Sequence, residues 1–410
     1  MNYFITQPLI KKLFFLFPLI YLTGPFLTDL SIFIIDIIFL IYLKKNFDIN
    51  KIKKVKLIFI PLVIFWIISL LNSLLSFNNY EQILKSIFFI RFVIFSFFIF
   101  YYSKENFSKT DLEFIKNITI LAILIVVASV YFEFLYYFII EKKTLDRYSG
   151  IFFSELIAGS VIFKLICYYF LIKFRLKEFF QKKDFFLIIT ILPAMTIINE
   201  RASLILFISL ITFLILLYLD ISKIKKVFLM TSLFFITLFV ITNNETSFKR
   251  YSILAAYIYS EVQVKIFNQN PKIPEFIDPA HVEDLKGYDY TELFYSAIKV
   301  GLTRPYFGVS FRNYRNVCED ILSKSECNLH PHNYYLEIFA EHGFIGLFLI
   351  LLSFYYLIRY IFISSNRYCL IIFIIYFWPL VTTGSYFNNY LGAFNALIIG
   401  TTLFNRNYQR

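Results

Sequence analysis

The sequence predicts an all-α, polytopic integral membrane protein of about twelve transmembrane helices, with one large loop outside the cytoplasm. Three observations predict it. Of 410 residues, 59% are hydrophobic, enough to fill about twelve spans of roughly 20 residues each. Only 17% are charged, while 54 are Phe and 31 Tyr; a soluble domain averages about 25% charged. That composition excludes a water-soluble fold and a disordered one. The charges also sit between apolar runs rather than inside them.

Apolar runs bounded by charge give spans near 13–27, 30–43, 57–77, 82–102, 112–140, 151–172, 185–200, 202–219, 227–243, 335–358, 368–383 and 390–404, read as helices by length and hydropathy. Orientation follows from basic residues, which collect in short cytoplasmic loops. With the N-terminus inside, the inner segments hold twenty-three Lys and Arg, in clusters at 11–12, 44–56, 103–116, 173–183, 223–226, 359–367 and 406–410. The short outer loops hold Lys142, Lys143, Arg147 and Arg201 alone. Both termini are therefore expected in the cytoplasm. The net charge of +12 is then a topology signal along a membrane surface, and a nucleic-acid partner is excluded.

Residues 244–334 break the pattern: ten Lys and Arg mix there with eleven Asp and Glu, and parity puts the segment outside. A loop this long is usually functional or disordered, and the recurring Tyr, Phe and Leu of 288–315 argue for structure. The chain then divides into a membrane bundle of about nine helices at 1–243, a large loop at 244–334 and about three membrane helices at 335–410. No cleavable signal peptide is expected after the first apolar run, and no internal repeat is evident. Cys167 and Cys369 fall inside spans, whereas Cys318 and Cys327 share the loop, on the side where disulfides persist. A Cys318–Cys327 bridge is expected there, with two free thiols as the alternative.

The sharpest feature closes the loop: His330-Pro331-His332-Asn333, then Glu337, Glu341, Gly343 and Gly346. Pro331 disfavours helix at His330, Asn333 is a capping residue, and Leu336, Phe339 and Ala340 recur at helical spacing. His332 then sits at a helix N-terminus, whose dipole disfavours imidazolium and favours a neutral ring able to accept a proton. The same residues also read as a His-Pro turn that only starts a helix. Zinc held by His330 and His332 would need a third well-placed ligand, so no metal site is expected. Glu337 and Glu341, one turn apart, read either as groups that orient His332 or as solvated helix charges.

The pattern resembles the signature of the O-antigen ligase and polymerase superfamily of bacterial inner-membrane proteins. His332-Asn333, nine residues, Gly343, two residues, Gly346 carries the likeness. Ser149-Gly150 through Glu155 to Gly159-Ser160 is similar to the family's segment opening a middle span, and Asn199-Glu200-Arg201-Ala202-Ser203 to its turn between two spans. Arg304-Pro305-Tyr306-Phe307-Gly308-Val309-Ser310 resembles the Pro-x-x-Gly-x-Gly stretch, and Gly384 to Asn389 a segment near the C-terminus. Two departures stand out: Ser310 replaces the second Gly of its stretch, and 250–290 is longer than the family's loop.

The resemblance implies that a glycan moves from undecaprenyl diphosphate to an acceptor on the periplasmic face, without a metal or other cofactor. The acceptor is lipid A-core for a ligase and another lipid-linked glycan for a polymerase. His332 is the expected general base for the acceptor hydroxyl, and a single displacement inverts the anomeric carbon. A departing diphosphate needs cations and helix N-termini; Arg201 and Arg250 are expected to bind it. Arg147, Lys85, Arg91, His330 and Glu337 are auxiliary candidates, with Lys85 and Arg91 placed in a span, where charge marks function or pairs, here with Glu133 or Glu155. Arg304, Arg312 and Arg315 read as ordinary surface charges. The expected location is the bacterial inner membrane, with membrane lipids as further partners. A lipid-linked sugar transporter using Asp36, Arg91, Glu133, Glu155 and Lys164 is the competing class, although the candidate chemistry clusters on one face.

Overall fold

The structure, a computed structural model, describes residues 3–404 apart from 77–79, 179, 220, 245, 254–255, 257–258, 260–289, 323–326 and 364–366. Among the described residues every regular element is helical. Seven helical segments are long and apolar enough to cross a membrane: Pro25–Asn46, Lys56–Leu75, Tyr80–Ser103, Lys109–Ile140, Arg201–Tyr218, Lys223–Thr242 and Tyr334–Ile363. The protein is thus an all-helical, polytopic membrane protein. The middle of the expected 244–334 loop, at 260–289, lies outside the described residues, as do Arg406 and Arg410.

In chain order the helices are α1 (Tyr3–Phe15), α2 (Phe17–Leu22), α3 (Pro25–Asn46), α4 (Ile49–Lys53), α5 (Lys56–Leu75), α6 (Tyr80–Phe88), α7 (Ile90–Asn106), α8 (Lys109–Leu135), α9 (Ala158–Arg175), α10 (Lys182–Ile198), α11 (Arg201–Tyr218) and α12 (Lys223–Thr242). They continue with α13 (Tyr290–Thr303), α14 (Tyr314–Ile321), α15 (Tyr334–Ile363), α16 (Arg367–Tyr376) and α17 (Asn389–Phe404). Residues 246–253 are helical as well.

Seven candidate spans among the described residues stand against the twelve expected, and two of the expected runs are visibly divided or cut short. The run 13–27 is divided into the end of α1, the short α2 and the start of α3, because Gly24 turns the chain at φ 103° and Pro25 opens α3 at its first position, where a missing N–H costs nothing. The run 368–383 stops being helical at Tyr376. Residues 377–388 then form an irregular segment containing Pro379 and Gly384, and it reaches the site described below.

Contacts group the chain into two compact units, which differ from the hydropathy-based division into 1–243, 244–334 and 335–410. The first unit holds Met1–Ala122, Cys167–Glu178 and Thr291–Arg410. Its core pairs α17 with α7 and α15 with α5. On α17, Gly392, Ala396 and Gly400 repeat every four residues, and a Cβ added at Gly400 would lie 2.7 Å from the Ser96 carbonyl oxygen. Small residues at that spacing let two membrane helices approach closely, and Ser96 Oγ donates across the seam to the Ala396 carbonyl at 3.1 Å. Ser353 Oγ bonds the Ile58 carbonyl in the same way at 2.9 Å.

The two ends of this unit differ in charge. At one end stand Lys11 paired with Asp111, Lys51 with Glu105 and Lys116 with Glu178, together with Lys44, Lys45, Lys173 and Arg175 in the last turns of α3 and α9. The other end carries the starts of α3, α7, α15 and α17. The second unit holds Ile123–Ile166 and Phe179–Tyr290, in which α10 packs on α12 and α11.

Candidate functional site

In the first unit the two glycine-bearing stretches meet. Gly343, at φ 64° and ψ −165°, breaks α15 into two half-helices. In an unbroken helix the Ala340 and Glu341 carbonyls would accept from Phe344 and Ile345. Instead they accept from Val309 N–H and Ser310 N–H at 3.0 and 2.9 Å, while Phe344 and Ile345 donate to the Pro305 and Tyr306 carbonyls at 2.7 and 3.2 Å. The loop 305–310 therefore satisfies all four groups that the break releases. Neither glycine is replaceable at this distance: a Cβ would come within 2.2 Å of Glu341 backbone carbon at Gly308 and 2.4 Å of Tyr306 backbone at Gly343. Ser310, where the resemblance has glycine, still takes the glycine-like φ of 86°.

His332 lies immediately before α15. Asn333 caps the helix as expected, its Oδ1 accepting from Tyr335 N–H at 3.0 Å and Leu336 N–H at 3.1 Å. Its Nδ2 donates to the Pro379 carbonyl at 2.7 Å, and Thr383 N–H donates to the His332 carbonyl at 2.7 Å. The irregular segment after α16 thus holds the His-Asn pair from behind. Burial lowers the His332 pKa, and a hydrogen bond from its ring to the Thr383 backbone offsets this in part. On the other side of the ring, Nε2 stands 3.2 Å from Asn328 Nδ2. The Asn328 Oδ1 is taken by Leu329 N–H at 2.7 Å, which turns its amide N–H toward His332 and makes Nε2 the accepting nitrogen. The His330 ring centroid is 4.2 Å from that of His332. Burial, followed by the charges of His332 and Arg312, lowers His330 to about 4.

Glu337 and Glu341 are each 2% exposed, which corrects their reading as solvated helix charges. Glu337 accepts from Ser385 Oγ and Tyr386 N–H, both at 2.5 Å. Glu341 accepts from Arg312 N–H at 2.6 Å and Tyr314 N–H at 3.5 Å, and so holds the start of α14. These buried carboxylates are satisfied by N–H and O–H donors, as burial of charge requires; they brace the loops around His332.

Arg91 and Lys85, expected as auxiliary cations, are both paired. Arg91 is 8% exposed and forks onto Asp29, Nε to Oδ1 at 2.7 Å and Nη2 to Oδ2 at 3.1 Å. Its partner is Asp29 and not the expected Glu133 or Glu155, because the starts of α3 and α7 lie side by side; Asn389 Nδ2 joins the same carboxylate. Lys85 pairs with Glu81 one turn away. Cys318 and Cys327 form the expected disulfide, with Cα atoms 5.8 Å apart, and pack on a small core of Ala297, Val300, Val309, Tyr314 and Ala340.

In the second unit, Arg201 is the first residue of α11, after Glu200. The Glu200 carboxylate accepts from Ser160 N–H and Ser203 Oγ, each at 2.8 Å, and a Cβ at Gly159 would fall 2.7 Å from its Oε2. Glu133 accepts from Ser149 N–H at 2.9 Å and Gly150 N–H at 2.6 Å. The Ser149–Ser160 and Asn199–Ser203 stretches are thus joined, with Asn199 Nδ2 also donating to the Asp146 carbonyl at 3.0 Å. Arg201 and Arg250 both act on Tyr251, whose phenol is raised by burial against the pull of the two guanidinium groups. Arg250 Nε is buried with no hydrogen-bond partner among the described residues. Arg147 donates to the Leu156 carbonyl at 2.9 Å.

The sequence-predicted residues therefore assemble as two groups: His330, His332 and Glu337 in the first unit, and Arg147, Arg201 and Arg250 in the second. Sequence reasoning set Arg312 among the ordinary surface charges and did not single out Asn328 or Thr383. For Arg312 a signal was present, since it follows a Pro-x-x-Gly stretch by four residues; Asn328 and Thr383 carry none that spacing alone would reveal.

The model of the family described as O-Antigen ligase matches residues 186–351, about two fifths of the chain, and that segment contains Arg201, Arg250, Arg312 and His332. The match bears out the resemblance carried by the motifs and supports the O-antigen ligase and polymerase superfamily of membrane glycosyltransferase-like enzymes. No curated protein matches the chain.

Proposed function

We propose that this protein is an O-antigen ligase-type glycosyltransferase of the bacterial inner membrane, which moves a glycan from undecaprenyl diphosphate to lipid A-core on the periplasmic face. The acceptor hydroxyl displaces the exposed Asn328 amide N–H from His332 Nε2, and Nε2 accepts its proton as the hydroxyl attacks the anomeric carbon; the carbon–oxygen bond to the diphosphate breaks, and the configuration inverts. Arg201 and Arg250 neutralise the departing diphosphate, assisted by the positive end of the α11 dipole. Lipid A-core and a second lipid-linked glycan present the same kind of hydroxyl, so the polymerase reaction is the second outcome of the test below.

The observation that carries this reading is the state and position of His332. Its ring has one nitrogen turned to the Thr383 backbone and the other set as an acceptor, and burial keeps it neutral near pH 7, as a general base requires. It also lies at the end of its unit away from the lysine-rich helix ends, which supports an outward-facing site with both termini cytoplasmic. Transfer from purified lipid-linked donor to lipid A-core is the measurement. His332→Ala is expected to lower kcat about 10²–10⁴-fold, with Arg201→Ala and Arg250→Ala also impaired. Full transfer by His332→Ala would overturn the assignment. Deleting the gene separates the two acceptors on a lipopolysaccharide gel: bare lipid A-core indicates a ligase, and core with a single repeat a polymerase.

A further inference from the structure

Two polar groups near the His330–His332 pair make no side-chain hydrogen bond among the described residues. The Arg312 main chain is held on both sides, its N–H by Glu341 at 2.6 Å and its carbonyl by Gln82 Nε2 at 3.2 Å. Its φ of 52° is one that a long side chain seldom adopts, and backbone held in such a conformation by its surroundings is characteristic of functional positions. Yet the guanidinium it presents makes no hydrogen bond or ion pair among the described residues. The carboxylates on which its charge acts, Glu81, Glu337 and Glu341, are bonded elsewhere: Glu81 by Lys85, Glu337 by Ser385 and Tyr386, and Glu341 by main-chain N–H groups. The second group is His330 Nε2, buried and without a hydrogen-bond partner among the described residues, a state that proteins ordinarily resolve with a ligand or water. The Arg312 charge acts on His330, and the His330 ring is 4.2 Å from that of His332.

We infer that Arg312 and His330 form an anion subsite beside His332, which holds a carboxylate or phosphate group of the accepting saccharide. This deepens the function proposed above and rests on His332 acting on the acceptor. A guanidinium binds either group through two parallel N–H bonds. An acidic substituent fixed in this way leaves a neighbouring hydroxyl free to rest on His332 Nε2, which is how a remote contact orients a reacting atom. Arg201 and Arg250 serve the donor in the same scheme, so Arg312 is a specificity residue for the acceptor alone.

The test compares enzyme variants with matched acceptors. Acceptor glycolipid extracted from a strain lacking this gene is used untreated, dephosphorylated with hydrogen fluoride, or amidated at its carboxylates with methylamine and a carbodiimide. One treatment is expected to raise the wild-type acceptor KM about 10–100-fold, the range for a hydrogen bond to a charged group, and it identifies which anion is bound. Arg312→Ala should raise KM for untreated acceptor by the same factor, add nothing on the treated acceptor and leave donor KM unchanged; Arg312→Lys should recover part of the loss. A rise in donor KM, an equal rise on treated and untreated acceptors, or no change would overturn the inference. The same two proteins are titrated with inorganic phosphate while the His330 ring is followed by NMR. A saturable shift in wild type that Arg312→Ala abolishes is expected, and no shift in wild type would overturn the subsite. If His332→Ala kept full transfer, the base assignment would fall, and this phosphate titration would still judge the subsite.

Discussion

The two units fasten their motifs by different chemistry. At the helix break beyond His332 the fastening is main chain to main chain: the loop 305–310 completes the hydrogen bonds of a helix broken at Gly343. Around Arg201 it runs through side chains, as Glu133 and Glu200 accept from the N–H groups of Ser149, Gly150 and Ser160. The first arrangement is indifferent to ionisation and intolerant of any Cβ at its glycines. The second tolerates small shifts and depends on two carboxylates. A candidate base is thereby held on a rigid frame, while the candidate diphosphate cations sit among groups that charge can rearrange.

The largest effect expected from this contrast is at the glycines. Gly308→Ala or Gly343→Ala meets backbone and forces a positive φ on a residue with a Cβ, costing about 1–3 kcal/mol for strain alone before any of the four hydrogen bonds is lost. Yield of detergent-extracted folded protein and its melting temperature should both fall sharply. Gly159→Ala meets only the end of the Glu200 side chain and should cost less; an equal loss at Gly159 would erase the distinction between the units. Next comes Glu200→Gln, which weakens charge-assisted bonds of about 1.5–3 kcal/mol and should lower melting temperature and donor binding together.

A smaller effect tests the ring itself. Asn328→Asp places a carboxylate beside Nε2 and favours the imidazolium, so the acidic limb of the pH–rate profile should move to higher pH by about one to two units; an unmoved limb would mean that Asn328 does not sense the base. The smallest effect concerns stability. Burial keeps His330 neutral down to about 4 from an ordinary value of 6.5, so the unfolded chain binds that proton first. This group supports the fold above about pH 6.5 and loses that contribution as pH falls toward 4. Melting curves across that interval should show a decline that His330→Asn reduces.

Much of this was legible in the sequence where the signal is local. The Asn333 cap, the start of α11 at Arg201, the Cys318–Cys327 bridge and the extents of most long helices follow from capping chemistry, spacing and hydropathy. The break at Gly343 was not, since a glycine inside a run of helical spacing does not say that the helix opens there, and only the facing loop reveals why it does. Partner choice was equally hidden: Arg91 finds Asp29 because two helix starts adjoin, a fact of tertiary packing. Glu337 and Glu341 looked solvated because one turn of spacing says nothing about which loops fold over a helix face. Arg312 looked like one surface cation among several until its main chain was found clamped on both sides.

The broken helix also sets a measure. The half-helix after His332 is tied at its far end to the loop 305–310, and His332 itself to Thr383 N–H, all through backbone, so the imidazole is held at a set place in its unit. In the proposed reaction it acts as a ruler fixed to the bilayer: of all the hydroxyls along an incoming saccharide, the one at that height is glycosylated, and lengthening the lipid's polar stem by one sugar should move the point of attachment by one sugar.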